Sequence, residues 1–195
     1  MWLHIIKEYM ESIKTLGASN HCKAERQVDD YYATDPMAME LILEEEFDLE
    51  NVLEPCCGEG HLSKVMLEDG IQVTSSDLID RGFGAVKSVY DYNSWDGDII
   101  TNPPYKEAQR IIEHCLNIIP NNKRVLMFLK LQFMESKQRK QLFLNSPLKT
   151  VYVSSSRIKC GINGDFGAIK SSAVAYAWYV WEKGYSGDPK IKWIN

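Results

Sequence analysis

From residue 51 onward, short β-favouring runs alternate with longer stretches whose apolar residues recur every three or four positions. Strands are predicted at NVLE (51–54), IQVTSSD (71–77), VKSVYD (86–91), GDIIT (97–101), RVLMFLKL (124–131), TVYVSS (150–155) and AVAYAWYVW (173–181), with KIKWI closing the chain. Helical spacing falls in HLSKVMLEDG, in KEAQRIIEHCLNII up to Pro120, and in MESKQRKQLFLN with its basic outer face. RVLMFLKL has too few polar positions to show a face to water, so it reads as a strand covered on both sides. Strands alternating with helices predict an α/β fold with a mostly parallel sheet and helices on both faces. Ahead of this region, MAMELILEEEF follows the helix-start signal Asp35-Pro36, and MWLHIIKEYMESIKTLG reads as an amphipathic helix. With no repeat, low-complexity tract or linker, residues 1–195 read as a single domain, with 1–50 a helical segment packed on the sheet.

Composition agrees with a full core: 195 residues, 45% hydrophobic. The first segment carries Lys7, Glu8, Glu11 and Lys14 and lacks the unbroken apolar region of a signal peptide. No apolar run is long enough to cross a bilayer, so the expectation is a soluble, cytoplasmic protein with no membrane partner. Five cysteines (22, 56, 57, 115 and 160) are an odd number without a two-residue spacing, which reads as free buried thiols; no metal is assigned. The net charge of −5 speaks against a nucleic-acid partner, but its distribution changes that. Residues 1–102 hold 7 Lys and Arg against 21 Asp and Glu, whereas residues 103–195 hold 15 against 6. The second half therefore offers a candidate basic surface.

Two stretches carry candidate chemistry. VLEPCCGEGHLSKVM places Gly58 and Gly60 between the first strand of the alternating region and its helix, where a ligand can approach the backbone and meet helix N-terminal amides. Glu54 and Pro55 precede these glycines, and Asp77 ends the next strand, where an acid can bind two ribose hydroxyls. The third glycine of a dinucleotide fingerprint is replaced by Ser63, and the Gly-Lys-Ser/Thr of a phosphate loop is absent. Carboxylates here repel phosphates but suit a ligand with an ammonium or sulfonium and a free ribose, which describes S-adenosylmethionine. The second stretch is Asn102-Pro103-Pro104-Tyr105, directly after GDIIT. Two prolines end the strand, and the residue before a proline is held extended, so an amide and an aromatic ring are fixed at a strand tip.

With both motifs in this order, the sequence resembles class I S-adenosylmethionine-dependent methyltransferases, specifically the N6-adenine DNA methyltransferases with the Asn-Pro-Pro-Tyr signature. Glu54-Pro55-Cys56-Cys57-Gly58-Glu59-Gly60 is similar to their Asp/Glu-Pro-x-x-Gly-x-Gly cofactor loop, and AYAWYVWEKGYSGDPKIKWIN resembles small phage and prophage members. The resemblance implies a Rossmann-like, mostly parallel seven-stranded sheet with one antiparallel strand near the C-terminus. It also implies that Tyr32, Thr34 and Pro36 contact the methionine end of the cofactor, that Asp91 with Tyr92 meets its adenine, and that Cys56 and Asn102 line the same pocket. By the same resemblance Asn102, Pro103, Pro104 and Tyr105 form the catalytic segment. The exocyclic amine of adenine is a poor nucleophile because its lone pair is delocalised into the ring. The Asn102 side-chain oxygen and the Pro103 carbonyl can accept its hydrogens, and Tyr105 can stack on the base.

Only about forty residues separate the cofactor loop from Asn102, too few for an inserted recognition domain, so the source of target recognition is open. The loop SRIKCGINGDFGAIKSS, with Arg157, Lys159 and Phe166, could contact nucleic acid, or a partner could supply specificity. DNA is the expected partner. RNA bases, the side-chain amide of a protein glutamine, and a non-catalytic nucleic-acid-binding module of the same fold remain open alternatives.

Overall fold

A computed structural model describes residues 33–158, the backbone of 160–161, and residues 174–195. The expected N-terminal amphipathic helix lies outside them. Strands are β1 (Ala33–Thr34), β2 (Asn51–Glu54), β3 (Gln72–Asp77), β4 (Ala85–Val86), β5 (Asp98–Thr101), β6 (Arg124–Lys130), β7 (Leu148–Ser154), β8 (Cys160–Gly161), β9 (Tyr176–Glu182) and β10 (Lys190–Ile194). Helices are α1 (Met37–Leu43), α2 (His61–Glu68), α3 (Ala108–Ile118) and α4 (Lys140–Asn145).

Eight strands form the main sheet in the order β10-β7-β9-β6-β5-β2-β3-β4. β9 runs antiparallel to both of its neighbours, and every other pairing is parallel. The expected sheet had seven strands; the eighth is β10, which pairs in parallel with β7 on the edge that β9 leaves open. VKSVYD contributes only Val86 to β4, and Val89–Asp91 turns into a 3-10 helix. Its cause is a capping box: Ser88 Oγ accepts the Tyr90 amide and the Asp91 carboxylate accepts the Ser88 amide. MESKQRKQLFLN is helical only from Lys140; Leu131–Met134 is a 3-10 turn, and the Tyr179 hydroxyl donates to the carbonyls of Lys130 and Leu131.

The period of two in the strands splits the core into two layers. Leu53, Ile99, Val125, Met127, Tyr179 and Trp181 face α3, which buries Ala108, Ile111, Ile112, Cys115 and Leu116 at helical spacing. Val52, Ile100, Leu126, Phe128 and Trp178 face α1 and α2. β6 serves both layers, and its first six residues are buried. Among the described residues no helix is long and apolar enough to cross a membrane. The strand order reverses beside β2, because β3 lies on one side of it and β5 on the other. At such a reversal, outside the carboxyl ends of the strands, α/β sheets place their ligands in a crevice.

Candidate active site

The turn after β2 is held by backbone contacts. Gly58 and Gly60 take φ of +56° and +78°, the left-handed region that glycine enters without steric cost. A Cβ on Gly60 would run into the Phe83 ring, so this position also favours the missing side chain. The Cys57 amide donates to the Ser76 carbonyl at 2.9 Å, tying the turn to β3. Asp77 ends β3 with both oxygens fixed: Oδ2 accepts the Gly58 amide at 2.9 Å and Oδ1 accepts the Ile79 amide at 3.0 Å. Each oxygen keeps a second lone pair for a ligand hydroxyl. Leu78, next to it in the chain, is exposed.

Glu54 differs from the sequence expectation of a charge facing the ligand. It is fully buried and accepts a short hydrogen bond from Ser63 Oγ, which lies 2.6 Å from Ser75 Oγ. Burial pushes its carboxyl up to about 8, with Ser63 opposing and the nearby Asp77 charge adding to the rise. Burial thus favours the neutral form of Glu54. Between pH of about 4.5 and about 8 the folded protein holds a proton that the unfolded chain releases, so this group lowers stability as pH rises through that window. Urea unfolding at the two ends of the window should show Glu54→Gln losing less stability with pH than the parent; parallel pH profiles would refute this.

Pro55 is buried under the turn. Cys56, Cys57 and Cys115 are free thiols, and burial raises all three, Cys57 and Cys115 to about 12. They stay protonated and unreactive at neutral pH. Among the described residues no group of three or more His, Cys, Asp or Glu could hold a metal ion.

Asn102 follows β5 directly, and its Nδ2 donates to Thr34 Oγ1 at 2.8 Å. Thr34 lies in β1, which pairs with β8 in a two-stranded sheet of its own, Thr34 opposite Cys160. The amide is thereby turned with its nitrogen toward Thr34. After Pro103 and Pro104, Tyr105 reaches across to Tyr176, hydroxyl to hydroxyl at 3.3 Å, and Tyr176 stacks on Phe128 at 5.1 Å. The Lys130 ammonium sits 4.3 Å from the centre of the Tyr105 ring.

Asp91 and Tyr92 lie on the other flank. One Asp91 oxygen is used by the Ser88 amide, and the residue is exposed. Tyr92 is buried, donates to Ser76 Oγ at 3.1 Å and carries the Lys87 ammonium over its ring at 3.6 Å. The sequence reading missed His114, whose Nε2 lies 3.0 Å from the Val89 carbonyl and 3.1 Å from the Tyr92 carbonyl. Both partners are acceptors, so Nε2 carries the proton and ties the Asp91 segment to α3. Nothing in the helical pattern of α3 marked it.

Pro36 stands at the start of α1, beside the Asp35 carboxylate that accepts the Met37 amide. Arg157 is exposed just beyond the carboxyl end of β7, on the Asn102 side of the sheet. Tyr32, Lys159 and Phe166 lie outside the described residues. Lys149, by contrast, does not belong to a basic track near the crevice. It sits at the opposite end of β7 and pairs with Glu182 at 2.6 Å.

No protein-family model matches the chain, and no curated protein does. Solved structures do resemble it. A Pyrococcus horikoshii protein provisionally assigned as an RNA methyltransferase is 16% identical over 76% of this chain and 82% of its own, with a TM-score of 0.57. A Listeria monocytogenes protein provisionally assigned as a class I S-adenosylmethionine-dependent methyltransferase is 11% identical over 95% of this chain and 72% of its own, with a TM-score of 0.59. A dimethyladenosine transferase from Plasmodium falciparum is 16% identical over 78% of this chain and 62% of its own, with a TM-score of 0.54. At these identities the similarity is one of fold: this chain has the Rossmann-like fold of class I methyltransferases.

Proposed function

We propose that this chain is an S-adenosylmethionine-dependent methyltransferase acting on an exocyclic amine of a nucleic-acid base, N6 of adenine in DNA. The observation that carries this reading is the meeting, at one strand-order reversal, of an amide oriented by Thr34 with a glycine turn anchored on Asp77. The donor set fits the cofactor: the Asp77 carboxylate suits ribose hydroxyls and repels phosphates, and the exposed Asp91 suits an adenine amine. When bound, S-adenosylmethionine supplies an electrophilic methyl group. The chain's own part is positional. Asn102 Oδ1 and the Pro103 carbonyl accept the amine hydrogens, which favours a pyramidal nitrogen with an available lone pair. Pro103 and Pro104 keep that pair of acceptors stiff, and Tyr105 stacks on a base taken out of its duplex. An RNA base presents the same amine, and the Pyrococcus protein is provisionally assigned as an RNA methyltransferase.

Transfer of labelled methyl to DNA, RNA and protein pools, followed by nucleoside analysis, tests the substrate. Calorimetry tests the cofactor: S-adenosylmethionine or its demethylated product should bind, with NAD and ATP much weaker. Asp77→Ala should cost about 1–3 kcal/mol of that affinity through lost ribose hydrogen bonds. Equal binding of NAD, or an indifferent Asp77→Ala variant, would sink the cofactor assignment.

A further inference from the structure

Lys130 is the last residue of β6, which lies beside β5 with Met127 opposite Thr101. The strand therefore runs past the point where β5 gives way to Asn102. Its side chain is partly buried, and its ammonium rests on the Tyr105 ring at 4.3 Å. No salt bridge to Lys130 occurs among the described residues. Lys149 and Lys192, unlike Lys130, pair with carboxylates, Glu182 and Glu45, and Lys87, which also rests on a ring, lies over Tyr92 on the other flank of the site. Lys64 donates to the Glu59 carbonyl. A cation held on the ring of Tyr105, three residues after Asn102, in a protein of net charge −5 needs an account. A contact with an aromatic face is a weak hold for an ammonium, readily exchanged for an anion.

We infer that Lys130 binds the phosphodiester of the nucleotide whose base reaches Asn102, so that this site takes a nucleotide within a nucleic-acid strand and not the amide of a peptide. The inference rests on the methyltransferase reading above. A base stacked on Tyr105 carries its phosphate beyond the edge of that ring, and the long Lys130 stem can swing from the ring to meet it. A glutamine side chain is neutral and offers nothing for this cation. The carboxylates of the crevice, Asp77 and Asp91, lie on the cofactor side of Asn102, so a phosphate reaching Lys130 need not pass over them.

The experiment measures binding and methylation of adenine-containing oligonucleotides across a salt series, with full-length protein and its Lys130→Met, Lys130→Arg and Lys149→Ala variants. Methionine keeps an apolar stem over Tyr105 and removes only the charge. Lys130→Met should lower the slope of log affinity against log salt by about one unit and raise KM. Its kcat and its affinity for the demethylated cofactor should stay at parent values. Lys130→Arg should restore the slope, and Lys149→Ala, at the far end of the sheet, should leave it unchanged. A packing role alone would lower kcat in Lys130→Met without moving the slope. An unchanged slope in an enzyme active on nucleic acid overturns the inference alone. A parent protein that neither binds nor methylates any oligonucleotide overturns the functional reading, and this inference falls with it.

Discussion

Asn102→Ala is expected to lower turnover by about a hundredfold or more while cofactor affinity stays nearly unchanged. The separation follows from when each contact matters. An amine that is flat in the ground state becomes pyramidal as it attacks, so acceptors for its hydrogens gain strength mainly in the transition state. The Asn102 amide is already oriented for this, because its Nδ2 is committed to Thr34 Oγ1 at 2.8 Å and the following prolines limit backbone drift. Truncation to alanine removes the acceptor but leaves the Gly58–Asp77 contact and the Asp91 segment, which belong to other elements. Single-turnover transfer measured beside calorimetric cofactor binding checks both halves of the statement. Full activity in Asn102→Ala would end this mechanism for any substrate, and loss of cofactor affinity would recast Asn102 as a binding residue.

What can be read from the sequence is what local chemistry dictates. The buried character of β6 is legible because apolar residues leave no polar face, and the stop after β5 because two prolines cannot extend a ladder. Other features depend on partners far along the chain. β1 and β8 are two residues each, too short for any period to reveal, yet their pairing brings Thr34 to Asn102. The 3-10 turn at Val89–Asp91 replaces a predicted strand because the Ser88 and Asp91 side chains each accept a backbone amide of this segment. Lys149 carries the same charge in the sequence as Lys130, and only topology puts one at the far end of the sheet and the other beside Tyr105. Likewise Glu54 reads as a charged ligand contact because sequence shows a residue's type but not its burial.

Arg124→Ala is expected to destabilise the protein by about 3–5 kcal/mol, with the fold rather than the chemistry as its target. Arg124 begins β6 at the end of the sheet opposite Asn102 and is only 10% exposed along its side chain. Its guanidinium meets three carboxylates: Glu46 at 2.8 Å, Asp48 at 2.7 Å and Asp98 at 3.2 Å. Asp98 opens β5 and is 2% exposed, while Glu46 also accepts the Tyr152 hydroxyl at 2.6 Å, so the network joins the segment after α1 to three strands. Removing the arginine leaves the Asp98 carboxylate buried with no cation beside it, and that uncompensated charge is the main cost. Lys149→Ala provides the scale: its pair with Glu182 is partly exposed, and solvent should hold the loss to about 1 kcal/mol or less. Asp48 adds a pH signature, because the arginine hydrogen bond holds its carboxyl below the usual range. Its contribution is present above the ordinary carboxylate pKa and fades as pH falls through the lowered value, so the gap between parent and Arg124→Ala should narrow in acid. Urea unfolding of the three proteins across pH measures this directly, and an Arg124→Ala variant as stable as Lys149→Ala would show the network to be energetically idle.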